Sequence, residues 1–310
     1  MHPTRSIQSY GPAEVAEGPM FIGFFMNVLL YGIMVNQTYL YFTQYRRDKT
    51  WTKTFVACIF FLDTLNTVFD FAYLYDSLIV HFDNVPFLAR ADWLFTLDPA
   101  LTAIIASLVQ LFYAWRVKVL TGSVWLMASV VIFALAGVAG GIATSVEVMR
   151  RRFFQEFIRF EDVVIVWLVA ECLGDILITT ILVYHLKSHK TGLEETDILV
   201  DRIIRMTVQT GLATAICATT DLVLYLTQPI AYHLILNFFL CKLYTNSLLS
   251  SLNSRNLQGA GSVDSGKTGL MVSKRASMPV PPSEFRRSSL FIDVESIRVS
   301  DAELGVRQQV

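Results

Sequence analysis

Apolar residues do not alternate along this chain; they run in long blocks separated by short polar joints. A helix needs about 20 mainly apolar residues to cross the hydrocarbon core of a bilayer. Seven blocks reach that length, at about residues 20–42, 54–75, 93–115, 124–146, 163–186, 206–226 and 231–252. The sixth is the least apolar, carrying Thr207, Thr210, Thr214, Thr219, Thr220 and Asp221. The pattern predicts an all-α, seven-helix transmembrane bundle over residues 19–253. A polar segment (1–18) precedes it. From 254 to 310 Gly, Ser, Pro and Arg dominate and apolar periodicity stops, so this tail is expected to be disordered.

Basic residues in short loops set orientation. Arg46, Arg47, Lys49 and Lys53 follow the first block, Arg116 and Lys118 the third, and Lys187, Lys190, Arg202 and Arg205 the fifth. The opposite joints carry fewer, although Arg150-Arg151-Arg152 argues the other way. The expectation is an extracellular N-terminus and a cytosolic tail, with the plasma membrane as host. The polar start shows no removable signal peptide, so the first block is expected to initiate insertion uncleaved.

Composition sharpens this picture. Charged residues make up 16% of the 310, against about 25% in soluble domains. The net charge of −1 gives no field that would draw nucleic acid. Cys58, Cys172, Cys217 and Cys241 all lie within apolar blocks and read as small buried hydrophobes rather than a disulfide framework.

The exceptions inside the blocks carry the candidate chemistry. Asp63, Asn66 and Asp70 fall within an arc of about 60° on one helix face, with Thr67 beside them. Glu171 and Asp175 stand one turn apart. Thr210, Thr214, Cys217 and Asp221 form a stripe in the sixth block, Lys242, Thr245, Asn246 and Asn253 in the seventh, and Asn27, Tyr31, Thr38 and Tyr41 in the first. Such stripes should face one another rather than lipid. One lysine opposes six acids if Asp98 is included. Even a low scale assigns about 2.5–3.5 kcal/mol to each central charge. Most of the acids must therefore be protonated, wet, or bound to a cation. The expectation is an outward-facing polar cavity formed by Asp63, Asn66, Asp70, Glu171, Asp175, Asp221, Lys242 and Asn246, with Lys242 at its floor paired to Asp175 or Asp63. Asp98, next to Pro99, reads as a helix cap.

Weaker signals complete the survey. Gly137 and Gly141 form a G-x-x-x-G beside Gly140, which favours close packing within the bundle. His81 and His233 could meet at the outer face with Asp83 or Asp92, but their spacing is not diagnostic of zinc. Ser277, Ser288 and Ser289 follow basic residues and are candidate phosphorylation sites. No G-x-S-x-G, H-E-x-x-H or P-loop appears, so neither catalysis, a cofactor nor a metal is expected.

Several short patterns carry a resemblance. They include Leu30-Tyr31-Gly32-Ile33, Leu62-Asp63-Thr64, Gln110-Leu111-Phe112-Tyr113-Ala114-Trp115-Arg116, Lys190-Thr191-Gly192 and Thr210-Gly211-Leu212. The closing run is Leu243-Tyr244-Thr245-Asn246-Ser247, continuing to Leu252-Asn253-Ser254-Arg255. Together, over about 18–255, they resemble fungal, mostly basidiomycete, multi-pass membrane proteins with the domain of unknown function 6534, whose named domain would span about 170–256. Asn66 stands where the resemblance implies a histidine. The resemblance implies an integral membrane protein and no established activity.

Three functions compete. A receptor-like sensor, with a small-molecule or ion ligand and a cytosolic signalling partner, fits seven spans and a basic cytosolic face. The chain lacks Asp-Arg-Tyr after helix three and Asn-Pro-x-x-Tyr in helix seven, so it departs from the main receptor class. A proton- or cation-coupled transporter fits the excess of acids, while an odd span count without an inverted repeat disfavours it. A retinal protein with Lys242 as Schiff-base amine lacks an aspartate one turn earlier, where Phe238 and Phe239 stand.

Overall fold

A computed structural model describes residues 12–82, 84–88, 90–188, 194–227 and 232–254. The expectations for Lys190-Thr191-Gly192, Asp83 and the segment after Ser254, with Ser277, Ser288 and Ser289, lie outside these residues. The described chain is helical: α1 Pro12–Gln44, α2 Thr50–Tyr75, a short α3 Val85–Leu88, α4 Trp93–Thr121, α5 Val124–Arg151, α6 Glu161–Ser188, α7 Glu194–Thr227 and α8 His233–Asn253.

Each long helix follows an apolar block, but several outrun it. α1 has 33 residues and α7 has 34. At 1.5 Å per residue each is about 50 Å long, well beyond the roughly 30 Å hydrocarbon core. For α7 the extra length precedes residue 206, where Glu194, Glu195, Asp197, Asp201 and Arg202 dilute the hydropathy. An apolarity criterion stops where the charges begin, whereas the backbone hydrogen bonds of a helix do not. α2 continues as a π-helical turn, Asp76–Val80, and a 3₁₀ segment, Phe154–Phe160, leads into α6. α4 ends at Gly122, whose φ of 68° closes the helix in the left-handed region that glycine adopts without penalty.

Six helices are long and apolar enough to cross a membrane: α1 from Glu17, α2 with its π turn, α4, α5, α6 and the Thr207–Thr227 part of α7. Phe21, Phe25, Phe61, Ile132, Leu135 and Ile216 are more than half exposed, or nearly so, on their outer faces, as a lipid-facing surface requires. The chain is built as an integral, multi-pass membrane protein. α8 is 21 residues long, about 30 Å, and does not reach the apolarity of these six spans. Its position explains this: α8 packs against α1, α2, α4 and α7, and it buries Lys242, Thr245, Ser247 and Ser251 rather than presenting them to lipid.

The packing order closes a ring, α1–α2–α4–α5–α6–α7–α8 and back to α1. α4 leans inward and also touches α6 and α8. Small residues permit the tightest approach. A methyl group on Gly140 would lie 2.9 Å from the Trp167 backbone of α6, and one on Gly141 would lie 3.1 Å from the Pro99 carbonyl of α4. The G-x-x-x-G face is therefore spent on contacts inside the bundle. On the side of the α2–α4 joint, Ala91 donates its N–H to the Arg152 carbonyl at 2.6 Å, and the Arg90 guanidinium lies 4.8 Å over the Phe153 ring.

Candidate functional site: a buried ion pair and its polar shell

Helix periodicity aims Asp63, Asn66 and Asp70 of α2 toward α8, and Lys242 sits at the matching depth. Its Nζ donates to Asp63 Oδ1 at 2.7 Å, to the Asp63 carbonyl at 2.8 Å and to Asn66 Oδ1 at 2.9 Å. Both charged side chains are 0% exposed. Three donated bonds match the three protons of an ammonium, so the lysine is fully satisfied by protein atoms. Thr67 hydrogen-bonds the Asp63 carbonyl at 3.0 Å as well.

The shell extends toward α4 and α1. Asn66 Nδ2 donates to Asp98 Oδ1 at 2.8 Å. Asn27 Nδ2 donates to Asp70 Oδ2 at 3.0 Å and to the Phe238 carbonyl at 2.6 Å, while Asn27 Oδ1 accepts from Thr67 at 3.2 Å. Cys241 Sγ lies 3.1 Å from Asn66 Oδ1 as a donor. Four helices, α1, α2, α4 and α8, thus meet through one connected set of side chains. Asp98 corrects the sequence expectation. It is the sixth residue of α4, the N-cap position belongs to Asp92, and its carboxylate serves the network. An Asp-Pro pair resembles a helix start, but Pro99 lies inside the helix, which begins five residues before Asp98.

Glu171 and Asp175 do not join this set. Glu171 Oε1 accepts from the Trp167 indole at 2.6 Å, and Gln110 Nε2 of α4 donates both to Asp175 Oδ1 at 2.9 Å and to the Glu171 carbonyl at 3.1 Å. Of the two partners open for Lys242, the structure selects Asp63 and gives Asp175 to Gln110. Asp221 is fully buried elsewhere, against Asn237. Asn246 turns its amide to the Leu30 carbonyl at 3.1 Å and to the Lys242 carbonyl at 2.8 Å, tying α8 to α1. The expectation of one outward-facing cavity containing all eight residues is therefore corrected. Asp63, Asn66, Asp70 and Lys242 form one closed network, Glu171 and Asp175 a second group, and Asp221 and Asn246 stand apart. The physical reason is that helical periodicity gives each stripe a direction but not a partner.

Residues that sequence reading passed over complete these groups. Glu17 is buried and accepts from the Tyr73 hydroxyl at 3.1 Å. Gln110 and Trp167 are isolated polar side chains in apolar surroundings, and a lone amide or indole makes no stripe; Cys241, read as a small buried hydrophobe, donates to Asn66. Near the end of α8, Asn253 donates to the Gln37 carbonyl at 2.9 Å and its own carbonyl accepts from Tyr45 at 2.9 Å, so the closing motif fastens α8 to α1. His81 stacks on Phe87 with ring centroids 3.8 Å apart, and His233 meets Tyr225 edge-on. Among the described residues no three His, Cys, Asp or Glu side chains gather in a metal-holding group. All four cysteines are free thiols.

Residues 171–257 match the model of a family of unknown function, DUF6534. This stretch contains Glu171, Asp175, Asp221, Lys242 and the closing Asn253 motif. No curated protein and no solved structure matches the chain.

Proposed function

We propose that this protein is a receptor-like membrane sensor, and that the Lys242–Asp63 ion pair is the lock its ligand releases. The observation that carries the reading is that pair itself, 2.7 Å long, 0% exposed, and joined by α2 to α8. A buried ion pair is weak evidence for stability, because desolvation offsets most of its attraction. Its best-attested use is to specify one arrangement among several. Here Asp70 and Asp98 stand in the same network, bonded to Asn27 and Asn66, and supply further carboxylates with which Lys242 would pair in a second arrangement.

In this reading α8 is a seventh span, the N-terminus is extracellular, and the tail is cytosolic at the plasma membrane. The arginine run at the end of α5 is compatible with that orientation. Arg150 and Arg151 both pair with Glu147, at 3.3 and 3.1 Å, which offsets part of the run's positive charge. The ligand is a small molecule or ion, the signal passes to a cytosolic protein, and no bond-making chemistry is assigned.

Hydrogen–deuterium exchange of the full chain in lipid nanodiscs tests the lock. Lys242→Met is expected to raise exchange at the cytosolic ends of α2 and α8 together, with α5 unchanged. Identical exchange in both proteins, or loss spread evenly over all helices, would overturn the reading. A second reading, a cation-coupled transporter, is favoured by the surplus of buried acids. Its mark would be proton or sodium flux in reconstituted vesicles that Asp63→Asn abolishes.

A further inference from the structure

The second polar group leaves a specific chemical deficit. Gln110 spends both amide protons, on Asp175 Oδ1 and on the Glu171 carbonyl. Its Oε1 is left as a bare acceptor in a residue 1% exposed. Thr179 Oγ1 is likewise buried without a hydrogen-bond partner, and the Asp175 carboxyl meets the Thr214 and Tyr244 hydroxyls besides Gln110. These oxygens surround a cavity of about 20 Å³ that is also lined by Thr214 and Ser247. Among the described residues no lysine, arginine or histidine lines it, and Lys242 is already committed to Asp63 and Asn66.

We propose that this cavity binds one small monovalent metal cation, of the size and hardness of sodium. Three features set that class. The available donors are all hard oxygens, from a carboxylate, an amide and hydroxyls, which suit hard cations rather than soft metals. The volume exceeds the roughly 10–15 Å³ needed by one water-sized occupant and falls far below the 300 Å³ or more of a drug-sized site. One carboxylate faces the cavity, which balances a single positive charge. A water molecule would satisfy the hydrogen bonds but would not compensate the ionised form of Asp175, which a bound cation stabilises at membrane depth. Space for the site is made by glycine. A methyl group on Gly174 would lie 3.0 Å from the Gln110 amide, and one on Gly211 would overlap the Thr179 hydroxyl. The site lies among α4, α6, α7 and α8, apart from the Lys242 network, and it does not depend on the sensor reading.

The test uses the full-length protein, purified in sodium-free buffer at fixed pH and ionic strength. Its thermal midpoint is followed as choline chloride is replaced by sodium chloride. The expected result is a saturable rise with sodium that Asp175→Asn removes and that Asp70→Asn, in the other network, keeps. Thr179→Val, which deletes one ligand oxygen at constant volume, is expected to raise the half-saturating sodium concentration at least about fivefold, and it decides the matter if Asp175→Asn does not fold. Equal midpoints in sodium and choline would overturn the site and leave a buried water as the occupant. A sodium response that survives unchanged in Asp175→Asn or in Thr179→Val would also overturn it.

Discussion

Lys242 of α8 and Asp63 of α2 form the one ion pair among the described residues in which both side chains are fully buried, at 2.7 Å. Asn66 accepts from the same ammonium at 2.9 Å and passes the connection on to Asp98 through its amide at 2.8 Å. Charge, amide and second carboxylate are thus wired in series across three helices.

Asn66→Leu removes an acceptor from Lys242 and a donor from Asp98 in one step. A buried polar group stripped of its partner costs about 1–3 kcal/mol, more when charged. The variant is expected to unfold at least 1–3 kcal/mol more readily, a range set by that same rule. Asn66→Gln, which keeps both functions on a longer arm, is expected to fall between it and the natural chain. Denaturant unfolding in detergent micelles measures the order.

Asn27 joins α1 to both α2 and α8 through Asp70 and the Phe238 carbonyl. Interhelical hydrogen bonds in membranes average about 0.6 kcal/mol and reach about 1.7. Asn27→Leu is expected to cost about 1–2 kcal/mol on the same scale. The loss should register as faster proteolysis at the α1–α2 joint. Unchanged cleavage there would show that α1 is held by its apolar face alone.

The glycines separate packing from propensity. Gly140→Ala brings a methyl group to 2.9 Å from the Trp167 backbone, which cannot move away as a side-chain tip could. Overpacking of this kind costs about 1–3 kcal/mol. Gly32 has nothing within 4 Å of the same position. Gly32→Ala is expected to be neutral or to stabilise α1 by up to about 1 kcal/mol, the propensity difference between the two residues. Paired thermal scans compare them directly.

These contrasts show what the sequence made legible. The apolar blocks located every long helix, because length and hydropathy are local properties. The face of α2 was equally plain, since Asp63, Asn66 and Asp70 repeat at helical spacing. What stayed hidden was pairing. Nothing in the order of residues distinguishes Asp63 from Asp175 as the partner of Lys242; that choice lies in the tertiary packing, where α4 touches α6 and Gln110 bonds Asp175. Asp98 was misread for a related reason, because Pro99 imitates a helix start while the helix had begun at Trp93. The charged start of α7 fell outside any hydropathy window, although it is helical from Glu194.

Orientation is open to direct measurement. If the N-terminus is extracellular, a glycosylation sequon placed near Arg5 is expected to be modified in cells, and one inserted between Arg46 and Lys49 is not. The reverse pattern would invert the bundle and move the basic face outward.

The measurement closest to the heart of the account is a double-mutant cycle on the buried pair, using Lys242→Met, Asp63→Asn and both together. Removing one partner of a buried pair typically costs about 3–5 kcal/mol. Each single variant should be destabilised on that scale, and the double variant should recover enough to give a coupling of at least about 1.5 kcal/mol. Additive losses, with a coupling inside about 0.5 kcal/mol, would contradict the existence of the lock between α2 and α8.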